Sequence, residues 1–123
     1  MTGAGHRTVM IVDDDVSVRD SLQFLFEIAG YATEVFASAR DCLEAYPWCG
    51  AACLVVDQHM PDVTGLELVA EVRRRGSRLP AILVTGSPSR DLERRAAELD
   101  GMRVLPKPPM EDELLRFVAS SLN

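Results

Sequence analysis

The sequence predicts an α/β fold, a doubly wound parallel sheet built in one domain, and three observations carry that prediction. Short apolar runs alternate with amphipathic runs five times along the chain, the pattern that lays helices on the faces of a mostly parallel sheet. Two of the apolar runs, "TVMIV" and "CLVVD", are continuous rather than alternating, as strands buried on both faces are. The 123 residues are 47% hydrophobic, enough for one core with nothing left over for a second module.

The first strand is Thr8 to Val12, which stops abruptly on "DDD". Helix one follows in "VSVRDSLQFLFEIAG", where Val18, Leu22, Leu25 and Ile28 recur at spacings of three and four and Gly30 sits where a left-handed C-cap belongs. "YATEVFAS" alternates weakly as strand two, and "ARDCLEAYPWCG" gives a short helix closed by Pro47 and Gly50. Strand three is "AACLVVD". Helix three, "GLELVAEVRRRG", carries Leu66, Val69 and Val72 on one face, arginines in its last turn and Gly76 beyond. "LPAILVTG" is strand four. For helix four, Ser87 is the expected N-cap with Pro88 at the first helical position, and Leu92, Ala96 and Leu99 form a thin stripe, so this helix is expected to be the loosest. "MRVLPKPP" is strand five, ended by prolines, and the last helix is anchored by Leu114, Phe117, Val118 and Leu122. Right-handed crossovers are expected throughout, but periodicity does not fix the strand order.

A formal net charge of −6 argues against a nucleic-acid or anionic-membrane surface and suits a cation or a cationic partner. Cys42, Cys49 and Cys53 form neither a Cys-x-x-Cys pair nor an even framework, so they read as reduced thiols that pack. No apolar segment approaches the roughly 20 residues needed to span a bilayer, and "MTGAGHRT" lacks the apolar region of a signal peptide. A soluble, cytoplasmic protein is the expectation. His6 and His59 have no companion at metal-ligand spacing, so no zinc site is expected.

If strands one, three, four and five are parallel, their carboxyl ends bring Asp13, Asp14 and Asp15 together with Asp57, Thr85 and Lys107 at one sheet edge, where open α/β sheets gather ligands. Carboxylates crowded there repel unless protons or a cation neutralise them, and Mg²⁺ is the natural cation because it takes one or two carboxylates with waters and phosphate oxygens. The lysine can pair with Asp57 or a phosphoryl oxygen, and the threonine can donate to the same group. Taken singly, "DDD" reads equally well as a helix cap and Thr85 as a strand-end hydroxyl bonding to backbone. Asp57 is harder to explain away, because an ionised carboxylate closing an apolar strand is costly without a use. Together these groups are the parts of a phosphoryl-accepting site with Asp57 as nucleophile.

In "MIVDDD", "LVVDQHMPDVTG", "ILVTG" and "VLPKP" the chain resembles the receiver domain of two-component response regulators over nearly its whole length. The resemblance implies a flavodoxin-like (βα)5 sheet of strand order 2-1-3-4-5, read here as one receiver domain over 1–123 without an output domain. It implies that Asp57 is the phosphoacceptor, that Asp13 and Asp14 are the acidic pair with Asp14 the direct Mg²⁺ ligand, that Thr85 is the switch hydroxyl and Lys107 the partner lysine, and that the His59 backbone carbonyl completes the metal shell. Asp15 matches a tolerated third acid, and the Lys107–Pro108 bond is expected to be cis. The implied activity is not that of an ordinary enzyme: the domain catalyses only its own phosphorylation, from a histidine kinase or phosphotransfer protein, and its dephosphorylation, and it switches an unidentified output partner.

Val104 departs from the family, which usually places an aromatic residue three before the lysine, and "LDGM" is a smaller departure before strand five. The rival reading is therefore a phosphorylation-independent interaction module whose output Val104 has uncoupled. A Mg²⁺-dependent phosphatase is disfavoured by His59, which stands where a second aspartate would act as acid/base, and a flavin module by the negative charge of "DDDVS" where a phosphate loop is needed. Leu22, Phe24, Leu25 and Phe26 crowd helix one too closely for all to face the core, so one or two are expected at the surface, where family members dock the kinase. The polar stripe of "SRDLERRAAEL" neither requires nor excludes a weak homodimer through helix four.

Overall fold

The computed structural model describes residues 8–122, so His6, the rest of the N-terminal stretch and Asn123 lie outside the described residues. Strands and helices alternate as β1 (Thr8–Val12), α1 (Val16–Ile28), β2 (Ala32–Phe36), α2 (Ala39–Glu44), β3 (Ala51–Asp57), α3 (Gly65–Arg74), β4 (Ala81–Thr85), α4 (Arg90–Ala97), β5 (Met102–Pro106) and α5 (Glu111–Ser121). All pairings are parallel and the order is β2-β1-β3-β4-β5. The chain reverses its direction of winding between β2 and β3, so the crevice outside the carboxyl ends of β1 and β3 is the topological switch point. No helix among the described residues is long and apolar enough to cross a membrane.

The period of two along each strand builds two cores. Met10, Val12, Leu54, Val56, Ala81 and Leu83 join buried residues of α2, α3 and α4, whereas Val9, Ile11, Cys53, Val55, Ile82 and Val84 join Phe26 of α1 and Leu114, Phe117 and Val118 of α5. Each fully buried large side chain contributes roughly 2 kcal/mol of transfer free energy, and the central strands supply most of them. Cys42 and Cys53 belong to these cores, and burial pushes each thiol up to about 12, so they pack rather than react; Cys49 is exposed.

Two local expectations are corrected. Helix α1 buries Phe26 while Ile28 is 70% exposed, because the face that meets the sheet runs through Val18, Leu22 and the Leu25–Phe26 pair and position 28 turns away from it. Phe24, 67% exposed, is the expected surface residue of the crowded quartet. The N-cap of α4 is Ser89, whose hydroxyl accepts the Leu92 N–H at 3.0 Å, not Ser87, whose own N–H is donated to Thr85 Oγ1. Helix α4 buries Leu92 and Ala96, while Pro88 precedes its cap and Leu99 of the expected stripe lies past its end, partly buried against the same core. Gly30 and Gly76 take φ of +99° and +90° just past α1 and α3, the left-handed closure that a Cβ disfavours.

Candidate functional site

β1 ends where apolar sequence gives way to three acids, and each of the three has a different task. Asp15 is the N-cap of α1: its carboxylate accepts the N–H of Ser17 at 2.8 Å and of Val18 at 3.3 Å. The capping reading of the acidic run is therefore right for this residue alone. Asp13 is buried, and its Oδ1 accepts the Asp15 N–H at 2.9 Å, while Asp14 is exposed. Arg19 reaches back to donate to the Asp13 carbonyl at 2.8 Å and fixes the strand end.

Asp57 closes β3 with only 4% exposure. Lys107 Nζ stands 3.0 Å from its Oδ1, and the His59 N–H donates to the same oxygen at 3.4 Å. Oδ2 accepts no hydrogen bond among the described residues. One carboxylate oxygen each of Asp13, Asp14 and Asp57 lies within 4.8 Å of the others, so the structure brings together the acidic pair and the candidate nucleophile at a distance where like charges repel. Burial raises the Asp13 pKa, and the charges of Asp57 and Asp14 raise it further against the Asp15 N–H and Lys107. Burial draws the Lys107 pKa down, but the hydrogen bond and charge of Asp57, with Asp13 and Asp14 behind it, outweigh burial and leave it raised. One ammonium thus serves three carboxylates.

This donor set fits a hard divalent cation. The oxygens are already gathered, one acid is exposed towards solvent, and among the described residues Lys107 alone forms an ion pair with any of these three carboxylates.

The backbone around Asp57 is fixed by residues that sequence reasoning passed over. The Gln58 N–H donates to the Val84 carbonyl at 2.9 Å, its own carbonyl accepts the Gly65 N–H at 3.1 Å, and its side-chain Oε1 accepts the Leu66 N–H at 2.9 Å. Gln58 therefore ties β3 to β4 and to the start of α3. Gly65 is required by space: a Cβ there would stand 2.5 Å from Leu83 Cδ1 and 2.6 Å from the Asp57 carbonyl oxygen. The Gly in "DVTG" was the available signal; nothing in the sequence marks Gln58. Thr64 and Glu67 cap α3 reciprocally, and the Asp62 carboxylate accepts the Arg40 N–H at 2.9 Å, pinning the loop after Asp57 to the start of α2.

Thr85 and Lys107 are joined through the backbone, Lys107 N–H to Thr85 carbonyl at 2.8 Å, and the Lys107–Pro108 bond is cis. The Thr85 hydroxyl is not turned to Asp57: its partners are the Ser87 N–H at 3.0 Å and His59 Nε2 at 3.3 Å. Val104, paired in register with Leu83, is half-buried against the core on the α2, α3 and α4 side. It fills its place there without a ring. Between α1 and α5 a cavity of about 520 Å³ opens onto the same edge, lined among others by Ser17, Ser21, Leu22, Leu25, Asp57 and Lys107.

The family model for the response regulator receiver domain matches residues 9–119. Over 122 residues the chain is 34% identical to the transcriptional regulatory protein FixJ of Bradyrhizobium diazoefficiens, covering 99% of this chain and 58% of that one. It is 35% identical over 115 residues to the transcriptional regulatory protein TdiR of Thauera aromatica, covering 94% and 51%. A response regulator receiver domain protein from Methanospirillum hungatei superposes with a TM-score of 0.86 at 26% identity over 94% of this chain and 93% of that one. The chain thus spans between 51% and 58% of the length of these two regulatory relatives.

Proposed function

The chain belongs to the response regulator receiver domain family of two-component signalling, and from that premise we propose that Asp57 accepts a phosphoryl group from a phosphohistidine of a histidine kinase or phosphotransfer protein. The observation that carries the proposal is the Asp57 carboxylate itself, 4% exposed at the end of an apolar strand, held by one lysine through Oδ1 and gathered with two further acids. Oδ2 keeps its lone pairs for attack on phosphorus. As the oxygen–phosphorus bond forms, the phosphorus–nitrogen bond breaks and the donor imidazole keeps the bonding pair. Lys107 meets the charge that develops on the phosphoryl oxygens. Asp13, Asp14, Asp57 and the His59 carbonyl would hold Mg²⁺, which supplies charge neutralisation for the incoming group.

The acyl phosphate so formed is hydrolysed slowly by the domain itself, and the phosphorylated and resting states differ around Thr85 and the loop and helix that follow it. Because two of the relatives carry names of transcriptional regulators, control of transcription through a partner or domain beyond the receiver is the proposed output. The cell interior is the proposed location.

The test is intact-protein mass after incubation with a small-molecule phosphodonor, with and without Mg²⁺, beside Asp57→Asn. A Mg²⁺-dependent gain of one phosphoryl group that is absent from the variant is expected. No gain in the folded, Mg²⁺-supplied protein would overturn the assignment.

A further inference from the structure

We propose that His59 is a positioning residue: its imidazole holds the Thr85 hydroxyl in a resting orientation turned from Asp57, and phosphorylation must break that hydrogen bond. The inference rests on the reading of Asp57 as phosphoacceptor and assigns a regulatory contact within that site.

Proton accounting carries it. Thr85 is 0% exposed, so its hydroxyl cannot turn to bulk water and needs protein partners. The Ser87 N–H donates to Oγ1 at 3.0 Å and occupies a lone pair. The hydroxyl proton still needs an acceptor, and His59 Nε2 at 3.3 Å is the acceptor the structure offers. The imidazole then carries its proton on Nδ1, since a neutral ring accepts at one nitrogen and donates at the other.

Strand geometry gives the contact its consequence. Ala81 and Leu83 of β4 pack on the α2, α3 and α4 side, whereas Cys53 and Val55 of β3 pack on the α1 and α5 side. By the period of two, Thr85 continues the first set and Asp57 the second. A hydroxyl leaving the β4 end on one face has to swing round to reach a group attached from the other. His59 holds it against that swing, while its own N–H donates to Asp57 Oδ1. One residue thus touches both groups whose approach defines the active arrangement.

Two measurements test the proposal. In the unphosphorylated protein, at a pH where the ring is neutral, ¹⁵N NMR of the imidazole is expected to show Nε2 unprotonated in the wild type and to lose that bias in Thr85→Ala. An Nε2–H tautomer, or spectra unchanged by Thr85→Ala, overturns the proposal without any reference to phosphorylation. Separately, affinity for beryllofluoride in the presence of Mg²⁺ is expected to rise about fivefold in His59→Ala, the factor that one ordinary net hydrogen bond supplies. The rise disappears when His59→Ala is combined with Thr85→Ala, because the released group is then missing. Equal gains in both backgrounds would mean that His59 acts directly on the phosphoryl site, and that outcome also overturns the proposal. Absence of beryllofluoride binding in the wild type would count against the phosphoacceptor reading, and the NMR result would then decide the resting contact by itself.

Discussion

The two ends of the sheet handle charge in opposite ways. At the amino ends of the strands, cations meet acceptors already in place. Arg73 donates through Nε and Nη2 to the Asp100 carbonyl at 2.9 and 2.5 Å and through Nη1 to the Ser77 carbonyl at 3.3 Å. Arg75 reaches the Leu43 carbonyl at 3.1 Å and Glu71 at 3.0 Å, and its guanidinium lies 5.2 Å from the centroid of the Tyr46 ring. At the carboxyl ends, three carboxylates lie within 4.8 Å of one another and share Lys107. The first end uses charge to close the fold. The second stores unfavourable charge in one cluster, and the difference marks the carboxyl ends as the candidate functional site on charge alone.

The largest way to break the contrast is steric. Gly65→Ala would force a methyl group to within 2.5 Å of Leu83 Cδ1 and 2.6 Å of the Asp57 carbonyl oxygen, and the backbone cannot yield without moving the acceptor strand. A loss of about 3 kcal/mol is expected, read as a lower midpoint in urea unfolding together with slower phosphodonor labelling. Normal stability and labelling would show that the start of α3 is not held against Asp57.

Next in size is Lys107→Met. Removing the shared ammonium leaves Asp57 buried beside like charges, and a cost of about 2 kcal/mol is expected, reduced from the fully buried case because the lysine side chain is 33% exposed. Asp13→Asn should act in the opposite direction. The Asp13 pKa is raised in the folded protein, so the folded state holds a proton more tightly than the unfolded chain, and stability falls as pH rises through the folded value. An asparagine keeps an acceptor for the Asp15 N–H and removes the charge. Without metal, the variant should be more stable than wild type at neutral pH, on the order of 1 kcal/mol, with the advantage vanishing in acid. A melting series from acid to neutral pH checks this, and a less stable variant at neutral pH would sink the account of stored repulsion.

How much of this was legible beforehand follows from where each signal resides. Apolar runs ending on Asp13 and Asp57 mark β1 and β3 because burial on both faces leaves no polar positions, and the turn glycines mark helix ends because φ above zero excludes a Cβ. Asp13, Asp14, Asp57 and Lys107 were therefore readable as one cluster. The hydroxyl of Thr85 was readable as a member of the site but not as turned away from it, since a rotamer leaves no trace in a sequence. Ser87 reads as the cap of helix four, with Ser89 inside it, because "SPS" offers two serines in sequence and only the N–H of Leu92 chooses between them. Ile28 fits the spacing of three and four set by Val18, Leu22 and Leu25, but the sheet beneath selects the face that buries Phe26 and leaves Ile28 exposed. Gln58 could not be found at all: its amide works through a neighbour eight residues on, in a loop without periodicity.

The smallest expected effect sharpens the comparison most cleanly, because it separates burial from the mere presence of an ion pair. On α4, Asp91 pairs with Arg94 at i,i+3 and stands 4.0 Å from Arg95, with the acid 61% exposed. Water screens such a pair and both long side chains lose freedom in making it, so Asp91→Asn should cost no more than about 0.5 kcal/mol. Screening shortens to about 3 Å at 1 M ionic strength, and the cost should then disappear. The Lys107→Met cost should persist in larger part in the same buffer, since Asp57 is 4% exposed and buried charges are screened less than exposed ones. Urea midpoints of both variants at low and high NaCl decide the matter. If the two costs were equally sensitive to salt, the charge at the carboxyl ends of the strands would be ordinary surface charge, and the contrast between the two ends of the sheet would fail.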